Sequence, residues 1–389
     1  MTSRAFLPYG RQDIDESDIA AVAEALRSDF LTTGPRVEAF EEAFAAVVEA
    51  PFAIACSNGT AALHLAMLGL GVGPGDRVAV PATTFLATAN CVRFVGGDVI
   101  FTDVDPTTGL MTPKTLAEAL DRAEPGHLKA VIPVHLRGDV ADLPGVGAVA
   151  SASGAVLVED APHALGSKAD FGQGPEPVGS GLRSSAATFS FHPVKTIATG
   201  EGGMITTRDP DLAARMRRLR SHGMERPAGG DPWLYEMREP GFNYRLPDIL
   251  CALGQSQLKR LPQFAARRRD LAHRYAERLA PLAPVVRLAE SPDWSRPVLH
   301  LLTVRIDFPA TGRSRRAVVE AMGADGVGTQ VHYIPVSAQP YYVARYGPPD
   351  LPGAAAWYRS ALSLPLFPAM ADSDVDRAVE ALARALGLR

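Results

Sequence analysis

The sequence predicts an α/β protein: a mostly parallel sheet in a large domain, residues 1–255, followed by a smaller α+β C-terminal domain over 256–389. Three observations predict it. Short apolar runs alternate with helix-like stretches from residue 52 to about 206, and runs apolar along their whole length belong to strands covered on both faces. The remainder mixes amphipathic helices with few strand-like runs. At 389 residues, 47% hydrophobic and 21% charged, the chain exceeds what one small core needs.

The elements follow in order. Ile14–Ser28 and Val37–Val48 space their apolar residues as amphipathic helices, joined by the polar Leu31-Thr-Thr-Gly-Pro35. Strands are predicted at Phe52–Cys56, Arg77–Val80, Asp98–Thr102, Ala130–Val134, Ala155–Glu159, Ala187–Phe191 and Gly203–Thr206. Helices are predicted near 60–70, 84–95, 113–122 and 140–152. Asp209–Arg220 is predicted helical, and Pro227-Ala-Gly-Gly-Asp-Pro232 an exposed loop. Helices over Pro247–Arg260 and Pro262–Leu279 lead to strands at Leu299–Asp307 and Gly328–Tyr333 and helices near 313–323 and 373–386.

Bulk properties exclude several classes. A net charge of −4 suits neither nucleic acid nor an anionic membrane as partner. The start, Met1-Thr-Ser-Arg-Ala-Phe-Leu-Pro-Tyr9, lacks the apolar run of a signal peptide, and longer apolar stretches are all interrupted. Cys56, Cys91 and Cys251 are isolated and odd in number, which supports neither a disulfide framework nor a zinc site. A soluble cytoplasmic protein is expected.

The chemistry concentrates at strand ends, where open parallel sheets bind ligands. Glu159-Asp160, Ser57-Asn58 and His192 all fall there and are expected to converge on one crevice. Ser190-Phe-His-Pro-Val-Lys195 sets a lysine between an apolar strand and the glycine-rich Gly200-Glu-Gly-Gly203. Only five of the 39 basic residues are lysines, and a desolvated lysine forms imines where arginine cannot. Asn58-Gly-Thr-Ala-Ala62 opens a helix, so the free amides of Thr60 and Ala61 favour an anion, although ordinary capping gives the same residues. Asp160 ends an apolar strand and calls for a cationic or hydrogen-bonding partner there; a helix cap or structural ion pair is the plain alternative. Anion site, strand-end aspartate and dry lysine together are the parts that hold pyridoxal phosphate.

With those residues in view, the chain resembles the DegT/DnrJ-type nucleotide-sugar aminotransferases, which have the aspartate aminotransferase-like (PLP-dependent transferase) fold. The resemblance runs through Pro8-Tyr-Gly-Arg-Gln12, Thr84-Phe-Leu-Ala-Thr-Ala-Asn90, His163-Ala-Leu-Gly-Ser167, Phe189–Lys195, Arg220-Ser-His-Gly-Met224, Gly241-Phe-Asn-Tyr-Arg-Leu246 and Gln330-Val-His-Tyr-Ile-Pro335. Within the family it is most similar to the UDP-4-amino-4,6-dideoxy-N-acetyl-β-L-altrosamine transaminases of pseudaminic acid biosynthesis. The resemblance implies that Lys195 is the Schiff-base lysine and proton shuttle, and that Asp160 pairs with the pyridine nitrogen. It implies His163 beside the ring hydroxyl and Phe85 on the ring face, where a core aromatic is the alternative. It places Gly59, Thr60, Ala61 and Ser190 on the phosphate. Asn243 is implied to add a phosphate contact from the neighbouring subunit, hence a homodimer. Tyr9, Arg11, Arg245, His332 and Tyr333 are implied to meet the substrate.

The implied reaction moves an amino group from glutamate to carbon 4 of a UDP-linked 2-acetamido-4-keto-6-deoxy-hexose, through pyridoxamine phosphate. Three alternatives stand beside it. They are the same chemistry on a 4-amino-4-deoxyarabinose or bacillosamine-type precursor, a dehydratase on the same fold, and a PLP-binding regulator without turnover. Lys195 opposes the dehydratase, whose resemblance implies histidine at that position. One departure from the family pattern stands out: Arg137 and Asp139 in His135-Leu-Arg-Gly-Asp-Val140, where a shorter neutral residue, a glycine and then Gln-Pro are expected.

Overall fold

The structure is a computed structural model that describes residues 5–123 and 126–388. The expectation about the N-terminal stretch falls partly on residues 1–4, outside the described residues.

The seven apolar runs form a single sheet. Its strands are β1 Phe52–Cys56, β2 Asp76–Pro81, β3 Asp98–Thr102, β4 His127–Val131, β5 Val156–Asp160, β6 Ala186–Ser190 and β7 Gly203–Thr207. Their order across the sheet is β1-β7-β6-β5-β4-β2-β3. Only β7 is antiparallel to its neighbours. β4 lies earlier than the predicted Ala130–Val134 because Pro133 has no N–H to give the ladder; Val134 rejoins as a lone bridge to Asp160.

The helices begin where the local chemistry says they should. α1 (Glu16–Arg27) carries a capping box between Asp15 and Asp18, and α2 (Pro35–Val48) opens on proline at its first position. α3 (Gly59–Gly69) is capped by Asn58. α4 (Leu86–Phe94), α5 (Pro113–Arg122), α6 (Leu143–Ala152) and α7 (Pro210–Arg220) complete the set around the sheet. On one face the rings of Phe40, Phe44, Phe189 and Phe191 pack together, with Phe44 and Phe189 5.0 Å apart. On the other, Leu65 and Met67 of α3 pack with Ile54, Val80 and Val158.

A third core gathers Leu271, Tyr275, Val304, Leu362 and Leu382 with Leu7 from the N-terminal segment. The predicted division at 255/256 falls inside α8 (Asp248–Lys259). Packing changes partner one helix later: along α9 (Leu261–Leu279), Leu261 and Phe264 join the first core and Leu271, Tyr275 and Leu279 the third. Three antiparallel strands line it, β8 Val286–Leu288, β9 Leu302–Ile306 and β10 Ala361–Leu364. The strand predicted at Gly328–Tyr333 is corrected. Only Gln330 pairs there, exchanging both backbone hydrogen bonds with Ser363, and then the chain turns away so that the His332 carbonyl accepts from the Trp357 indole at 2.9 Å.

Among the described residues no helix is long and apolar enough to cross a membrane. All three cysteines are free and buried, and burial pushes the Cys56 thiol up to about 12. Truncating the ring at the centre of the aromatic cluster, Phe44→Ala, is expected to cost ~3–5 kcal/mol. A lower urea midpoint for the loss of secondary structure measures it; an unchanged midpoint would contradict the packing.

Candidate active site

β5 and β6 lie side by side and end on Asp160 and Ser190. Successive strand residues face opposite sides of a sheet, so Glu159 and Asp160 diverge. Glu159 meets His135 Nε2 at 2.9 Å and accepts from Ser184 Oγ at 2.5 Å. The expected place of Glu159 in the crevice is therefore corrected: it is a structural carboxylate. Asp160 is 4% exposed, and its Oδ2 accepts from Thr88 Oγ1 at 2.5 Å. Its Oδ1 is buried and has no hydrogen-bond partner among the described residues. Burial pushes the Asp160 carboxyl up, opposed by the Thr88 hydrogen bond and the Lys195 charge.

The loop from β6 to β7 carries the lysine. Its turn is closed by the Lys195 N–H donating to the His192 carbonyl at 2.8 Å and the Thr199 N–H to Phe191 at 2.9 Å. His192 itself is exposed. Lys195 is half-buried, and burial lowers its amine to about 8, with Asp160 pulling the other way. An amine in that range is neutral in roughly a tenth of molecules at pH 7, far more than an ordinary lysine, and nucleophilic and proton-transfer work uses that neutral form.

α3 starts beside them. A Cβ built on Gly59 would sit 2.8 Å from Ser190 Cβ, so the two segments touch and only glycine fits. The Ala61 N–H donates to Asn58 Oδ1 at 2.8 Å, so this amide is not free, which corrects the expectation for Ala61. Gly59 and Thr60, in the first turn, have no intrahelical acceptor and remain as donors.

Aromatic and imidazole side chains form the opposite wall. His163 is buried; its Nδ1 accepts from the Arg137 N–H at 3.3 Å and its Nε2 lies 3.2 Å from the Tyr333 hydroxyl. The His163 and Tyr333 rings are stacked at 16° with centroids 6.3 Å apart. His332 is buried, shares a 2.9 Å hydrogen bond with Ser363 Oγ, and is lowered to about 3 by burial and the Lys195 charge. Tyr9 approaches the His332 ring at 5.7 Å. The Gly10 position lies against Val194, next to the lysine, while Arg11 is exposed. Phe85 precedes α4 and is 56% exposed, its ring 6.2 Å from Tyr333, which removes the core-aromatic reading.

Two expected residues make no hydrogen bond to this group among the described residues. Asn243 is exposed on a segment bridged to Ser221. Arg245 lines a cleft of about 600 Å³ between α2 and α7, with Glu41, Arg217 and Arg220. Sequence reasoning missed Thr88 and His300 and read Arg137 only as a departure from the family pattern. Thr88 had a signal, since it lies one helical turn after Thr84 and the two hydroxyls meet at 2.7 Å. His300 had none; its ring packs 4.6 Å from His163 through tertiary contact alone.

Comparison with known proteins settles the class. The profile of the DegT/DnrJ/EryC1/StrS aminotransferase family matches residues 12–383. The chain belongs to this family. It is 38% identical over 385 residues to the spore coat polysaccharide biosynthesis protein SpsC of Bacillus subtilis, covering 97% of this chain and 96% of that one. Spr1654 of Streptococcus pneumoniae, solved in PLP and PMP forms, is 28% identical, covering 98% of this chain and 99% of that one, with TM-scores of 0.88 and 0.89. Helicobacter pylori PseC, described as an aminotransferase in pseudoaminic acid biosynthesis, is 26% identical with the same coverage and a TM-score of 0.89. The protein is accordingly a sugar aminotransferase that uses pyridoxal and pyridoxamine phosphate.

The residues present fit that cofactor. The orphaned Asp160 Oδ1 awaits a donor, which a protonated pyridine nitrogen supplies. The start of α3 offers amides and a dipole to a phosphate at a place where a Cβ would intrude. Two outcomes follow. Labelling of Lys195 by a small amine-acylating reagent in the cofactor-free protein should rise with pH to half-maximal near 8; a midpoint above 10 would mean a solvated lysine. Gly59→Ala should push the helix start from Ser190 and weaken pyridoxal phosphate binding roughly tenfold or more, about 1.4 kcal/mol, by fluorescence titration.

Proposed function

We propose that this sugar aminotransferase moves an amino group from glutamate to carbon 4 of a UDP-linked 2-acetamido-4-keto-6-deoxy-hexose, as in pseudaminic acid synthesis. The observation that carries the chemistry is the lowered Lys195 amine beside a buried Asp160 with one unpaired oxygen. For the substrate, the support is the likeness to PseC over 98% of the chain and the sequence motifs shared with that subgroup. The likeness to SpsC, at 38% identity, favours a second reading in which another UDP-4-keto sugar is converted for a surface polysaccharide.

When bound, the cofactor withdraws electrons from the carbon that changes its proton and carries nitrogen between the two substrates. The chain supplies everything else. Lys195 Nζ takes a proton from the glutamate α carbon and returns one to sugar carbon 4. Asp160 Oδ1 would hold the proton on the ring nitrogen. Gly59, Thr60 and Ser190 would hold the phosphate, His163 would lie beside the ring hydroxyl, and Phe85 would shield the ring face from water. His332, Tyr333 and Tyr9 line the sugar pocket, with Arg11 at its edge.

A homodimer completes the site in this reading. Trp233, Tyr235 and Met237 are 75%, 59% and 64% exposed, and Phe30 and Leu31 are about half exposed, more apolar surface than water favours. Pairing through such surface would let Asn243 and Arg245, neither hydrogen-bonded to the site's own side chains among the described residues, serve the partner's site.

Mass spectrometry and NMR of the product from purified protein, glutamate and a panel of UDP-4-keto sugars test the reading. Pairing of amino transfer with the 2-acetamido-4-keto-6-deoxy-hexose supports it, and preference for a pentose rejects it. Lys195→Ala should abolish turnover. Mixed with Asn243→Ala, itself impaired, it should regain roughly a quarter of parent activity if subunits exchange, because one site in each mixed dimer is intact. No recovery after proven exchange would contradict the shared site.

A further inference from the structure

We propose that Tyr333 is the hydrogen-bond donor to the keto oxygen of the sugar, its hydroxyl proton directed into the site by a fixed relay from the Arg137 backbone through His163. The inference rests on the reading of the substrate as a 4-keto sugar.

The relay follows from counting donors. His163 Nδ1 accepts the Arg137 N–H at 3.3 Å, so that nitrogen carries no proton. Burial holds the imidazole well below its usual range, and the ring is neutral with its proton on Nε2. Nε2 lies 3.2 Å from the Tyr333 oxygen, which must then accept. The single proton of the phenol is left to point elsewhere, and among the described residues the hydroxyl has no other hydrogen-bond partner. Burial pushes the phenol up, with the Asp160 charge adding to it, and Tyr333 keeps its proton at any working pH.

Arg137 earns its place in this chain by being pinned. Its φ of 66° is left-handed, a conformation that side-chain-bearing residues adopt only when held. The guanidinium donates to Asp139 and to the Glu290 and Ala289 carbonyls, and lies over the Trp357 ring at 5.9 Å. Its carbonyl accepts the His300 N–H at 2.7 Å. The peptide is therefore gripped on both sides and its N–H has one direction left. Arg137 is a positioning residue, and the departure of this loop from the family pattern acquires a purpose.

Charge builds on the keto oxygen as nitrogen adds to carbon 4, and a preoriented neutral donor in a dry wall stabilises it. The glutamate half-reaction forms the corresponding oxygen on 2-oxoglutarate, so the role assigned to Tyr333 is read in the sugar half-reaction itself.

Two measurements test it. Nitrogen-15 NMR of histidine-labelled protein, with His163 assigned by loss of its signals in His163→Asn, should show Nδ1 unprotonated and Nε2 protonated. Asp139→Ala, which frees the guanidinium, should move both signals toward the mixed-tautomer average, and Asp139→Glu should move them back. In single-turnover assays Tyr333→Phe should slow the sugar half-reaction roughly 10²-fold. A protonated Nδ1, or a sugar half-reaction that Tyr333→Phe leaves within about twofold, overturns the proposal. A parent enzyme that converts no 4-keto sugar sinks the substrate reading and this one together. Conversion with an unaffected Tyr333→Phe variant sinks this one alone.

Discussion

Removal of water from the end of β5 and β6 is the constraint on which the site depends. One environment acts on two groups in opposite senses, lowering the Lys195 amine and raising the Asp160 carboxyl. Their attraction opposes both shifts without cancelling either. The result is an amine that gives up its proton more readily than an ordinary lysine, beside an acid whose free oxygen needs a donor. The same dryness reaches His163, His300 and His332, all held below the usual imidazole range. A wall of neutral rings adds no positive charge to the site.

The fold produces this dryness by layering. A parallel sheet covered on both faces brings strand ends together at one edge, and the antiparallel β7 folds the lysine loop back over them. Close approach is then a matter of single atoms. Gly59 meets Ser190, and a Cβ on Gly203 would come within 2.4 Å of the Asn58 carbonyl. The phosphate end and the lysine end of the site are therefore set by one contact between α3 and the last two strands.

Much of this was legible because the relevant signals are local. The seven strands announce themselves as apolar runs, and Lys195, Asp160 and Asn58-Gly59 stand at their ends. The errors have local causes too. Pro133 truncates β4, and a single bridge at Gln330 replaces a predicted strand. Strand periodicity separates Glu159 from Asp160, although they are neighbours in sequence.

By itself the sequence determined the sheet and the class of chemistry and singled out one lysine as the candidate, because apolar runs, caps and a rare amine are properties of short segments. Tertiary structure decided which polar atoms stay unpaired: Asp160 Oδ1 is an orphan only once Thr88 has taken its neighbour, and Ala61 is spoken for only once Asn58 has turned. It also decided the hydrogen-bond sense at His163, which depends on Arg137 and Tyr333, one earlier in the chain and one 170 residues later. Hydrogen-bond direction belongs to a finished network, and no segment of the chain carries it alone.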